Sequence, residues 1–130
     1  MSIIKLDEIV LPDGIWWADE MNWSPMEQSF EYSLAGSLVV DAGQKLAGRP
    51  ITLTGGEDFA WTTRAIVLAL KVKEATPGIE MALDYNGREF DVMFDLSGGP
   101  AVIATPVVQH SDYDTNAAIY HSLTIKLFEI

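Results

Sequence analysis

The sequence contains no cysteine and no long uninterrupted apolar run. Without cysteine there can be no disulfide and no thiolate metal site, so the fold must be held by core packing or by contacts between subunits. No run approaches the roughly 18 apolar residues that span a bilayer as a helix. Acidic residues also interrupt the N-terminal stretch where a signal peptide would continue. We therefore expect a protein that stays where it is made, in the cytoplasm of its host cell, with no membrane partner.

Basic residues are scarce. Eight Lys and Arg stand against nineteen Asp and Glu, which gives a formal net charge of −11. The eight are scattered and form no patch, and the overall negative field repels phosphate backbones. We expect no nucleic-acid partner.

Catalytic motifs are also missing. No Ser lies in a Gly-x-Ser-x-Gly elbow, and no cysteine nucleophile exists. His110, Asp112 and Asp114 are the best metal candidates, joined by His121, because alternating His and Asp side chains can converge on a cation. Their spacing fits no established signature, and a polar loop rich in turn-forming residues is the favoured interpretation. We expect no metal, no cofactor and no enzyme activity.

Two further candidates for chemistry are weak. Gly55-Gly56 before a predicted helix could cradle an anion, but Glu57 would repel it and the Lys and Ser/Thr of a phosphate-binding loop are absent. Asp91 and Asp95 could be a hydrolase pair. They alternate with apolar residues, however, which is typical of the solvated face of a strand.

The residues that are present describe a globular chain. A length of 130 residues with 48% hydrophobic and 21% charged residues is enough for one core, so we predict a single domain over 1–130. Residues 11–28 contain three Trp and follow no clean period, which indicates a Trp-rich loop or arm.

Strand patterns begin after this arm. Alternating apolar residues predict one long, half-buried strand that bends at Gly36, with its apolar side formed by Phe30, Tyr32, Leu34, Leu38 and Val40. A turn region follows over 41–48, and then a shorter strand over 49–54. The Asn86-Gly87 pair between two alternating segments predicts a β-hairpin with a type I′ turn. A strand interrupted by Pro106 and a long closing strand over 119–130 complete the set.

One helix is predicted at residues 58–75. Asp58 is a good N-cap, and Pro77-Gly78 ends the helix. We expect its apolar stripe, which consists of Trp61, Ala65, Leu68 and Val72 and is widened by Ile66 and Leu70, to pack against a sheet. The whole pattern predicts a mostly β fold, a β-sandwich or split barrel of about seven strands, with one α-helix packed across it.

Several aromatic residues are candidates for an interface, because Trp and Tyr are enriched at buried contacts between proteins. The closing strand is apolar on both parities, which indicates that both of its faces are covered. The interface candidates are Trp16, Trp17, Trp23, Tyr120 and Phe128.

The order of elements from Phe30 to Phe94 resembles that of small tail proteins of long-tailed bacteriophages, in the distal tail and tail-tube superfamily. The similar features are Leu34-Ala35-Gly36-Ser37, the strand at residues 48–53, the helix with Trp61 and the Asn86-Gly87 hairpin. The resemblance implies a virion tail component that forms a homo-oligomeric ring, a hexamer, beside other phage tail proteins.

Three other functions stay open from the residues alone. A carbohydrate- or receptor-binding module of a phage tail would use the Trp-rich arm. An acidic host-directed inhibitor would use the negative surface as a mimic of nucleic acid. A metal-dependent hydrolase would use His110, Asp112 and Asp114.

Overall fold

The computed structural model describes residues 3–44 and 48–130. Within these residues the chain forms eleven β-strands and one α-helix, and nine of the strands join one antiparallel sheet. The mostly β fold with one helix is therefore confirmed, although several strands are only two or three residues long and the total exceeds seven. The strands are β1 (Ile4–Leu6), β2 (Ile9–Val10), β3 (Trp16–Trp17), β4 (Met26–Tyr32), β5 (Leu38–Gln44), β6 (Pro50–Thr54), β7 (Thr62–Thr63), β8 (Met81–Tyr85), β9 (Arg88–Phe94), β10 (Val102–Pro106) and β11 (Ile119–Glu129). The helix, α1, is Arg64–Glu74.

The large sheet has the order β2-β1-β8-β9-β11-β6-β3, and β7 and β10 also pair with β11. Strand β11 is its centre, and none of its residues is exposed. The sheet folds over on itself, because Trp17 on β3 contacts Tyr85 on β8 and Phe90 on β9, with ring centroids 5.7 and 5.4 Å apart. This arrangement is sandwich-like and encloses the apolar core.

The hairpin and the closing strand predicted from the sequence are confirmed. Asn86 and Gly87 have φ angles of 52° and 91°, the two positive values that a type I′ turn requires. They connect β8 to β9 in register, with Tyr85 opposite Arg88. Strand β10 ends at Pro106, the residue that was predicted from the sequence to interrupt this strand.

The prediction of one long strand through Gly36 is wrong, because the chain reverses there. The backbone N–H of Ser33 donates to the carbonyl of Ser37 at 2.8 Å, and that of Gly36 donates to the carbonyl of Ser33 at 2.9 Å. Gly36 has a φ of 82°, which closes the three-residue loop, residues 34–36, between the hydrogen-bonded Ser33 and Ser37. Of the turn region predicted over 41–48, residues 41–44 continue β5 and residues 45–47 lie outside the described residues.

The predicted start of the helix at residue 58 is also wrong. The helix begins at Arg64, and its N-cap is Thr63. Ala60 takes a left-handed conformation, with φ of 55°, which prevents a continuous helix from Asp58. The first helical N–H groups, of Arg64 and Ala65, donate to backbone carbonyls of the loop before β11 at 2.8 and 3.2 Å, so tertiary contacts replace a capping side chain.

The helix is fixed to the sheet by its buried residues, Val67 and Leu70, and by charges at its C-terminal end. Lys73 lies 3.2 Å from both Asp7 and Glu8 in the turn between β1 and β2. Burial disfavours the charged form of Lys73, but hydrogen bonds and the negative charges of these two carboxylates outweigh it and raise its pKa. In the described part of the chain, no helix is long and apolar enough to cross a membrane.

Candidate interaction surface

The hairpin of β4 and β5, residues 26–44, stands apart from the rest of the fold. Its two seven-residue strands pair only with each other among the described strands. Every residue in both strands is exposed. At about 3.3 Å per residue, each strand extends roughly 20 Å. The hairpin is therefore a projecting ribbon whose two faces and two edges are open to a partner.

The pairing register separates the hairpin into an apolar and an acidic face. Residues directly opposite one another in an antiparallel pair project to the same face. Phe30 is opposite Val40, and Tyr32 is opposite Leu38, so these four side chains share one face. The other face carries Glu27, Ser29, Glu31, Val39 and Asp41.

Nothing in the described chain covers the apolar face. Phe30 is 60% exposed, and Leu34 at the tip of the hairpin is fully exposed. A monomeric soluble protein rarely leaves a contiguous apolar patch of this kind open, and such patches mark sites of interaction. A two-stranded hairpin is also only marginally stable by itself in water. Both facts make the hairpin the leading candidate for an interaction surface in the described part of the chain.

The helix contributes a second exposed apolar surface. We predicted that Trp61, Ala65, Leu68 and Val72 would lie against the sheet, and this is wrong, because all four are exposed. The opposite side of the helix, with Val67 and Leu70, packs on the core instead, so Leu70 is the one residue of the predicted stripe that is fully buried. Leu68 is 42% exposed, whereas Leu70 is 0% exposed. We call Ala65, Leu68 and Val72, with Trp61 just before the helix, the helix stripe.

The three Trp residues of the N-terminal arm divide between core and surface. Trp17 is 1% exposed and belongs to the core, so it offers no surface to a partner, whereas its neighbour Trp16 is 58% exposed. Trp23 is half-buried, and its ring lies 5.7 Å from the guanidinium of Arg49. An aromatic platform formed by all three rings is therefore not present, which weakens the carbohydrate-binding interpretation of the arm.

Two arginines hold the arm on the sheet. The guanidinium carbons of Arg49 and Arg88 lie 4.6 and 5.4 Å from the centre of the Trp17 ring. Arg88 also forms an ion pair with Glu20 at 2.7 Å. The indole N–H of Trp17 and the Nε of Arg49 are buried without a hydrogen-bond partner among the described residues. The ring is thus held by apolar and cation–π contacts.

Tyr120 and Phe128, the remaining interface candidates, are half-buried by the chain itself. The hydroxyl of Tyr120 accepts a hydrogen bond from Arg64 Nη1 at 2.8 Å. Phe128 is opposite Pro50 on β6 and Met93 on β9. Each therefore offers a partner only part of its ring.

The polar candidates are dispersed. His110 Nδ1 lies 3.7 Å from Asp112 Oδ2, and both side chains are largely exposed. Within residues 3–44 and 48–130, no three His, Asp or Glu side chains are placed to share a cation. Asp95 accepts hydrogen bonds from the hydroxyl of Ser97 at 2.6 Å and from its amide at 3.0 Å. These bonds lower the pKa of Asp95, which suits a turn cap rather than a proton donor.

Sequence reasoning missed the hairpin, although a signal for it was present. In Ser33-Leu34-Ala35-Gly36-Ser37, the Gly stands at the position that a three-residue loop places in the left-handed region.

Comparisons of this chain with known protein families, with curated proteins and with solved structures find no match. Function is therefore inferred from the surfaces themselves.

Proposed function

We propose that this chain is a structural subunit of a bacteriophage tail, a tail-tip (distal tail-like) or tail-tube ring subunit that acts by self-assembly. The observation that carries the proposal is the projecting hairpin, whose apolar face has no cover in the described chain. The resemblance of the sequence to small phage tail proteins supplies the tail context, although Leu34–Ser37 lies in a hairpin turn and Trp61 lies before the helix. A homo-oligomeric ring, a hexamer by that resemblance, would place the hairpin of each copy in contact with a neighbour.

The physical logic of assembly follows from the two faces of the ribbon. Contact with a neighbour would remove Phe30, Tyr32, Leu38 and Val40 from water, and each large side chain that becomes fully buried contributes about 1.5–3 kcal/mol. The face with Glu31 and Asp41 would stay in solvent, where its charges need no partner. The open edges of β4 and β5 could also pair with a strand of the neighbour and so satisfy their backbone groups.

Native mass spectrometry of the full chain at micromolar concentration tests the proposal. We expect a closed homo-oligomer for the unchanged protein and loss of that oligomer for Phe30→Asp, because a carboxylate on the apolar face would have to be desolvated in the contact. Ser29→Asp is the matched control. It introduces the same side chain one residue away on the face that already carries Glu31 and Asp41, so assembly should persist.

Two results would contradict the proposal. One is an unchanged chain that stays monomeric at micromolar concentration. The other is a Phe30→Asp variant that assembles as well as Ser29→Asp does, since the apolar face would then have no part in association.

A further inference from the structure

The helix α1, residues Arg64–Glu74, differs from the rest of this chain because it holds more basic than acidic residues. Acidic residues outnumber basic ones by nineteen to eight overall, whereas the eleven-residue helix holds Arg64, Lys71 and Lys73 against Glu74 alone. Lys73 is neutralised by Asp7 and Glu8. The Glu74 side chain is only 15% exposed, and it accepts a hydrogen bond from the Val102 backbone N–H at 2.8 Å. Arg64 and, to the extent that Glu74 3.6 Å away does not balance it, Lys71 therefore set the charge of the helix surface.

Arg64 and Lys71 lie along the margin of the helix stripe. Leu68 is four residues after Arg64 and three before Lys71, so the three side chains are neighbours on one helical face. Arg64 makes its hydrogen bond to a neutral group, the hydroxyl of Tyr120. Lys71 lies 3.6 Å from Glu74 and keeps a partly exposed side chain. The helix thus presents apolar side chains beside cations.

The hairpin presents the complementary combination. Residues 26–44 contain Glu27, Glu31 and Asp41 and no basic residue. The ribbon is a single layer, so one backbone layer and the apolar side chains are all that separate the carboxylates of its acidic face from a surface docked on its apolar face. One chain therefore exposes two apolar surfaces with nearby charges of opposite sign: the apolar face of the hairpin, which has carboxylates behind it, and the helix stripe, which has cations beside it.

We propose that the apolar face of the hairpin of one copy docks on the helix stripe of the next copy. This inference rests on the self-assembly proposed above and names the surface that receives the hairpin. Apolar contact between Phe30 and Val40 on one side and Leu68 and Val72 on the other supplies the affinity. Attraction between the acidic ribbon and Arg64 and Lys71 orients the two copies and favours this contact over others.

A second copy is the occupant that the two surfaces favour, because every copy carries both complementary patches and, among the described elements, the hairpin does not pack on the helix of its own chain. The contact uses two different patches, so it is head-to-tail. Each copy that donates its hairpin still has its own helix stripe open to a further copy. Copies therefore add one after another, and they form a closed ring when the rotation between neighbouring copies sums to a full turn. This property matches a ring-building subunit.

Two variants that each block one patch test this arrangement. Phe30→Asp disables the hairpin and Leu68→Asp disables the helix stripe, and both positions are exposed, so folding should be preserved. We expect each variant alone to be monomeric by native mass spectrometry at a concentration where the unchanged chain assembles. An equimolar mixture should form a heterodimer and nothing larger, because one intact hairpin then meets one intact helix stripe.

The possible failures are distinguishable. A monomeric unchanged chain would contradict the proposed self-assembly itself. Assembly of the unchanged chain together with normal assembly of Leu68→Asp would overturn only the hairpin-on-helix contact, as would a mixture of the two variants that stays monomeric. Circular dichroism of each variant shows whether the fold is kept. If Leu68→Asp is misfolded, Val72→Asp on the same stripe takes its place.

Charge reversal gives an independent test of orientation. Lys71→Glu should weaken association about two- to five-fold, the scale of an exposed ion pair, and combining it with Asp41→Lys should restore part of the loss. Added salt should reduce the difference between the single variant and the unchanged chain. An unaltered association constant for Lys71→Glu at low salt would contradict the proposed charge pairing.

Discussion

Replacing Trp17 with alanine is expected to lower the free energy of unfolding by about 3–5 kcal/mol, the range for a large aromatic side chain removed from a core. The ring joins β3 to the opposite part of the sheet through Tyr85 and Phe90. It is also covered by the guanidinium groups of Arg49 and Arg88. Its loss leaves a cavity where the sheet folds over, and it leaves both arginines without the ring they cover.

Trp16→Ala is the control for this prediction, since it removes the same ring from the neighbouring residue of the same short strand. Trp16 is exposed, so its removal should change stability by less than about 0.5 kcal/mol. Denaturant unfolding of both variants at equal protein concentration separates the two residues, because any oligomer adds concentration-dependent stability. Equal losses for the two variants would contradict the placement of Trp17 in the core.

The two Trp residues also show what the sequence can and cannot predict. Adjacent residues on a strand point to opposite faces, so the Trp16-Trp17 pair could be expected to divide between surface and core. The sequence alone does not tell which ring goes inward, because both neighbours are apolar or small. The burial of Trp17 depends on Tyr85, Phe90 and the two arginines, which are more than thirty positions away.

The elements predicted correctly are those specified by local chemistry. Asn86-Gly87 strongly favours a type I′ turn over other two-residue turns. The alternating residues on both sides of it fix the register of β8 and β9. Pro106 marks the end of β10 for an equally local reason, since its nitrogen has no hydrogen to donate.

The hairpin was missed because its two strands share one parity. Phe30 and Tyr32 before the loop, and Leu38 and Val40 after it, are all even-numbered, so a single continuous strand explains the alternation equally well. The three-residue loop changes the direction of the chain without shifting the parity. The expectation that the apolar side is half-buried also assumes that the burying surface belongs to the same chain. In the structure, no described residue supplies that surface.

The helix was oriented wrongly for a related reason, which leads to the second large prediction. Its sequence has two apolar stripes, one with Leu68 and Val72 and one with Val67 and Leu70, and helical periodicity ranks neither above the other. In the structure the second stripe faces the core. In this orientation Glu74 and Lys73 also contact β10 and the turn between β1 and β2.

Leu70→Ala is accordingly expected to lower the free energy of unfolding by about 2–5 kcal/mol, through lost transfer energy and the cavity left behind. Leu68→Ala removes the same atoms from the exposed stripe two residues earlier and should cost less than about 0.5 kcal/mol. Urea unfolding, at a protein concentration low enough that both variants are monomeric, measures the difference without a contribution from assembly.

The association of copies should be affected by the two variants in the reverse order. Leu68→Ala weakens it, because the stripe loses its central side chain, while Leu70→Ala leaves the contacting surface unchanged in the molecules that are folded. A large stability loss for Leu68→Ala with none for Leu70→Ala would mean that the helix packs through its other face, and the helix stripe would then be unavailable to a neighbouring copy.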